Sequence, residues 1–145
     1  MSLKQLRAGE LAALLGAALM LISTFVASYD GPLGSLTAWD TFGPAVTLEL
    51  VALCAALAMV IAAATERTPA LPVASMVWCF VLGLVAIIAA IVRLVDLPDH
   101  ATSLAVGAWL ALAAALAIFG GAWEALRDER TPLYEQVRPQ PRPRP

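Results

Sequence analysis

Apolar residues fall along the chain in four long blocks, separated by short stretches rich in charge, Pro and Gly. A bilayer core of about 30 Å takes roughly 20 apolar residues per helix, and each block reaches that length. The pattern predicts four transmembrane helices at about residues 9–28, 43–64, 71–95 and 103–125, forming one domain over 1–126. The interruptions are turn signals: Tyr29-Asp30-Gly31-Pro32-Leu33-Gly34, Glu66-Arg67-Thr68-Pro69 and Asp96-Leu97-Pro98-Asp99-His100. They are too short to hold a separate domain, so sequential helices are expected to be neighbours. The fold class is therefore all-α, an integral membrane four-helix bundle of up-down topology. Residues 127–145 form an Arg/Pro-rich tail in which Pro alternates with polar or basic residues, the pattern of an extended, coreless segment.

Composition agrees with lipid as the solvent. Hydrophobic residues make up 61% of the chain and charged residues 14%, with a mean hydropathy of +0.81; a soluble domain is about 45–50% apolar. A net charge of -2 excludes a nucleic-acid binder, and two cysteines exclude a disulfide scaffold. Eight Arg against one Lys, abundant Ala and no Asn point to a GC-rich bacterial source.

Lys and Arg set orientation because they translocate poorly. With four spans both termini share one side, which receives Lys4, Arg7, Arg67, Arg127, Arg130, Arg138, Arg142 and Arg144, leaving Arg93 for the other. Both termini are expected to be cytoplasmic and the location a bacterial cytoplasmic membrane. Tyr29, Trp39 and Trp123 fall at span ends, the headgroup level that amphipathic rings prefer. Lys4 and Arg7, followed by an apolar run and Val26-Ala27-Ser28, also form a signal-peptide pattern, but the run exceeds the usual apolar region and the first span is expected to be retained.

Glu49 stands inside the second span, where an ionisable residue is costly and marks a candidate site. Its expected partner is Arg93, which the antiparallel third span brings to a similar depth. Helical spacing supports this: Ala45, Glu49, Ala52, Ala56 and Ala63 share one face, and Cys79, Gly83, Ala86, Ala90 and Arg93 share another. The pair reads as a structural ion pair or, alternatively, as an ion site. Glu10, at the mouth of the first span, reads as a solvated interfacial charge. Asp96, Asp99 and His100 are metal-ligand types without a fourth ligand and read as an acidic loop, with Asp99 also able to cap the fourth helix. Cys54 and Cys79 sit within spans and read as small packing residues. Arg138, Arg142 and Arg144 are candidate tethers for anionic lipid or a cytoplasmic partner. No CxxC, HExxH, phosphate loop or GxSxG occurs, so no enzyme, metal or cofactor is expected.

Leu6-Arg7-Ala8-Gly9-Glu10-Leu11, Thr37-Ala38-Trp39, Arg93-Leu94-Val95-Asp96 and Gly121-Ala122-Trp123-Glu124-Ala125-Leu126-Arg127-Asp128-Glu129 resemble segments of uncharacterised small four-transmembrane-helix membrane proteins of actinobacteria. The resemblance covers residues 6–129 and implies a fold and an envelope location, with no catalytic residues to carry over. Ser28-Tyr29 departs from the Trp-Tyr pair that ends the first span in that group. The expected role is that of a non-catalytic membrane component, an accessory subunit or homo-oligomeric scaffold whose partners are the bilayer and a membrane protein or further copies. The alternative is a small transporter or channel using Glu49, with Arg93.

Overall fold

A computed structural model of the chain describes residues 8–32, 34–41, 43–65, 70–98 and 101–128. The described residues form four long helices, α1 (Ala8–Phe25), α2 (Pro44–Thr65), α3 (Ala70–Val95) and α4 (Val106–Asp128). Three very short strands lie between them, β1 (Tyr29–Gly31), β2 (Gly34–Leu36) and β3 (Ser103–Leu104). All four helices are long and apolar enough to cross a membrane. They pack in a ring in which α1 touches α2 and α4, and α3 touches α2 and α4.

The most extensive contact joins α1 to α4, helices far apart in sequence. Glycine makes it possible. A Cβ on Gly9 would lie 2.6 Å from the Ala125 nitrogen, one on Gly16 2.7 Å from the Ile118 nitrogen, and one on Gly121 2.5 Å from the Ala13 nitrogen. The two backbones therefore run against each other, antiparallel, with small residues admitting close approach. Near the far end Gly107 continues the seam, with its nitrogen donating to the Ala27 carbonyl at 2.7 Å.

The interior is narrow because it is built from small side chains. Ala13, Ala17, Ala52, Ala56, Ala86, Ala114, Ala115 and Ala122 are buried, and Met20, Met59, Met76 and Ile118 fill the gaps between them. Large apolar residues point the other way: Leu15, Phe25, Trp78 and Val95 are 64–78% exposed on the bundle surface. A bundle whose bulky apolar residues face outward and whose Ala residues face inward is organised for an apolar solvent.

The two connections at one end are more than turns. β1 is the middle strand of an antiparallel sheet of order β2-β1-β3, with Tyr29 opposite Leu36 on one side and Leu104 on the other. Gly34, at φ +120°, supplies the backbone conformation that closes the β1–β2 hairpin. This sheet moves two expected boundaries. The first helix ends at Phe25 rather than Ser28, because Ser28 donates to the Leu36 carbonyl (2.8 Å) and accepts from the Ala105 nitrogen (3.0 Å). The fourth begins at Val106 rather than 103, because Ser103 and Leu104 pair with β1. At the opposite end α4 runs on through Arg127 to Asp128, into the stretch expected to be tail.

Candidate functional site

The sheet sits over the end of the bundle where α2 begins and α3 finishes. Glu49 lies five residues past the start of α2, about 7–8 Å along its axis at 1.5 Å per residue. Arg93 lies two residues before the end of α3, so the antiparallel pair reaches nearly the same level. Arg93 Nη1 donates to Glu49 Oε2 at 2.6 Å. The contact is deeply buried: Glu49 is 0% and Arg93 7% exposed. It is also a single contact, because Glu49 Oε1 and Arg93 Nη2 are buried without a hydrogen-bond partner.

Tyr29 completes the arrangement from above. Its hydroxyl donates to the Arg93 carbonyl at 3.1 Å and accepts from Arg93 Nε at 3.3 Å. The guanidinium carbon stands 5.7 Å from the centre of the Tyr29 ring, within the range of a cation–π attraction. Tyr29 was expected to be an interfacial ring at a span end, yet it is 1% exposed. β1 turns its side chain inward, onto α3. Nothing in the spacing of residues around Tyr29 signals this, because the inward direction depends on the pairing of β1 with β2 and β3.

A cleft of about 540 Å³ adjoins the pair at the sheet end, between the first turn of α2 and the last turn of α3. Tyr29, Ala45, Val46, Val92, Arg93 and Asp96 are among its walls. In the opposite direction, directly beneath the pair, the described side chains are packed. Ala52, Ala56, Met59, Met76, Cys79 and Ala86 beneath the pair are each at most 2% exposed. The ion pair thus joins the start of α2 to the end of α3 and is flanked by tightly packed Ala and Met.

The remaining candidates are placed less centrally. Glu10 is 5% exposed, which corrects its reading as a solvated charge. Cys79 is buried in the core, whereas Cys54 is exposed on the outer face of α2 rather than packed. Asp96 is exposed at the cleft, while Asp99 and His100 lie outside the described residues. No group of metal-ligand side chains occurs among the described residues. Arg127 forms an exposed pair with Glu124 at 3.5 Å, one turn apart on α4. Arg138, Arg142 and Arg144 lie outside the described residues.

Outside the spans, the Asp40 carboxylate accepts from both the backbone nitrogen and the hydroxyl of Thr37, each at 2.8 Å. These bonds favour the ionised form and hold its pKa below the ordinary aspartate value. The turn they close carries Trp39, whose ring lies 6.0 Å from that of Phe25 at the end of α1. Comparison with protein-family models, with curated proteins and with solved structures finds none that matches this chain.

Proposed function

We propose that this chain is a non-catalytic multi-pass protein of a bacterial cytoplasmic membrane, with both termini cytoplasmic, acting as an accessory subunit or a homo-oligomeric scaffold. The observation that carries this reading is the buried run of contacts from Glu49 through Arg93 to Tyr29. The two ionisable side chains of the mid-chain spans are engaged with each other, and the third member ties them to the sheet. With the core beneath the pair packed, the largest surface left for work is the outer face of the bundle, rich in exposed Leu, Ile, Val and Trp. Such a face is suited to lipid and to other membrane helices. Orientation follows from the excess of Lys and Arg on the termini side.

Extraction in a mild detergent or native nanodisc, followed by intact mass of the protein and whatever remains bound, tests this role. A stoichiometric membrane-protein partner or a defined homo-oligomer is expected. A chain that stays monomeric and unaccompanied at its native abundance overturns it.

The second reading is a small transporter or channel using Glu49 with Arg93, and one observation favours it: Arg93 is part of the wall of an open cleft. Water access beneath the pair tests it.

A further inference from the structure

Between α3 and α4, at the end of the bundle where α1 begins and α4 finishes, lies a groove of about 460 Å³. Val77, Phe80, Trp123, Leu126 and Arg127 are among its walls. Its base is aromatic: the Phe80 ring stands 4.7 Å from that of Phe119 and 5.7 Å from that of Trp123, centre to centre. Val77 and Trp123 are about half exposed, so the rings end in an open apolar surface. The rim carries both signs of charge. Arg127 and Glu124, one turn apart on α4, are each more than half exposed and meet at 3.5 Å. An exposed pair of that kind contributes little to stability, so each partner remains able to meet another charge.

The chain continues from the rim of this groove. Trp123 lies five residues before the end of α4, about 7–8 Å along its axis at 1.5 Å per residue. Residues 129–145 follow Asp128 and lie outside the described residues. Pro132 disfavours a helical conformation for Thr131, so the sequence gives α4 no reason to run on past that point. The four residues from Glu129 to Pro132 span up to about 13 Å when extended, more than the return to Trp123 requires. Apart from Pro, the apolar residues of 129–145 are Leu133, Tyr134 and Val137, all at the near end of the segment. Glu135 and Arg138 stand among them, three positions apart. A chain returning antiparallel to α4 meets Arg127 before Glu124, and this one presents Glu135 before Arg138. Opposite charges therefore come together in the order in which they occur.

We propose that residues 133–138 fold back into this groove, with Leu133 and Tyr134 on the Phe80 and Trp123 rings, Glu135 toward Arg127 and Arg138 toward Glu124. Ring-on-ring contact suits Tyr134, whose hydroxyl can stay at the wet rim. A lipid chain also fills an apolar groove, but it leaves both rim charges unmatched. Docked there, the segment braces α4 against α3 at the end of the bundle and leaves Arg142 and Arg144 for headgroups or a partner. The contact lies within one protomer and needs neither a partner protein nor a given orientation, so it stands or falls separately from the subunit or scaffold role.

The test uses the full chain in nanodiscs, with Cys54→Ser and Cys79→Ser removing the native thiols. Val77→Cys is combined with Tyr134→Cys or, as a control further along the chain, with Gln140→Cys. Under mild oxidation at high dilution the first pair is expected to close an intramolecular disulfide about tenfold faster than the second, the ratio that a modest docking preference gives. Trp123→Cys in place of Val77→Cys should give the same ranking, and circular dichroism checks that each variant is folded. Charge supplies the specific arm. Glu135→Arg should slow the first pair toward the control, and Arg127→Glu in the same chain should restore it. Equal rates for the two pairs, or a rate unmoved by Glu135→Arg, overturn the proposal. Disulfide-linked dimers in place of intramolecular closure assign the groove to a second copy. Equal rates together with one phospholipid retained per protomer in native mass spectrometry assign it to lipid. Either result also overturns the proposal.

Discussion

Tyr29 and Arg93 are joined by two hydrogen bonds across 64 positions of sequence: the phenol donates to the arginine backbone carbonyl and accepts from the arginine Nε. One side chain thereby fixes both the end of α3 and the direction of the guanidinium. A buried tyrosine needs a partner for its hydroxyl, and here the partner is also the charge that needs orientation. Tyr29→Phe keeps the ring against the guanidinium but removes both bonds. It should lower stability by about 1–3 kcal/mol, the cost of leaving buried groups unpaired, read from reversible unfolding in mixed micelles.

The Glu49–Arg93 bond predicts non-additive mutational losses. Glu49→Gln or Arg93→Gln alone strands the other charge in a buried site and should cost about 3–5 kcal/mol. The double variant leaves no stranded charge, so its loss should be smaller than the sum of the two. Additive losses in a double-mutant cycle would show that the two side chains are near each other without being coupled.

Glycine positions on α1 and α4 should respond according to space alone. Gly121→Ala places a methyl 2.5–2.6 Å from the Ala13 nitrogen and Gly9 carbonyl, which forces the two backbones apart. Gly120, its neighbour, has nothing within 4 Å of an added Cβ. Gly120→Ala should therefore leave the thermal midpoint unchanged or raise it, while Gly121→Ala lowers it, and a scan of both variants in one detergent checks the contrast.

Water access separates the subunit or scaffold role from the transporter reading. Ala52, one turn beyond Glu49 on the same face of α2, is 0% exposed. In a chain carrying Cys54→Ser and Cys79→Ser, Ala52→Cys should resist a membrane-impermeant thiol reagent applied to intact cells or sealed vesicles. Rapid labelling there would show a water-filled path past the ion pair and would favour transport.

Asp40 predicts a pH dependence confined to the Thr37–Asp40 turn. Its folded pKa is lowered by the two bonds from Thr37. A depressed carboxylate stabilises the folded turn above its unfolded pKa, and that contribution is lost as pH falls through the folded value. Carbon-13 titration of the side-chain carboxyl should give a midpoint below 3.8, and Thr37→Val should move it upward.

Hydrophobic run length and the residues that interrupt it account for the number of helices and their order, because a span needs a minimum length and its ends need polar or turn-forming residues. The juxtaposition of Glu49 and Arg93 was legible for a similar reason. Two ionisable residues at matched depth on sequential antiparallel helices have few alternatives to each other. The α1–α4 seam is not legible in the same way, although Gly9, Gly16, Gly107 and Gly121 carry its signal. In a chain this rich in Ala, small residues occur on many faces, and local spacing does not say which face meets which helix.

What depends on solvent transfer is legible in the order of residues alone: how many segments are apolar enough to cross a membrane, where they begin and end to within a few residues, and which charges lie inside them. What depends on long-range contact emerges with the folded chain. The three-stranded sheet pairs Tyr29 with Leu36 and with Leu104, and that pairing, across seven and 75 positions, shortens α1, delays α4 and turns the Tyr29 ring inward. Hydrogen bonds between distant strands leave no local periodicity, so a reading of runs and turns sees only polar connections. Burial of Glu10 is likewise a matter of packing that the local residue order does not show.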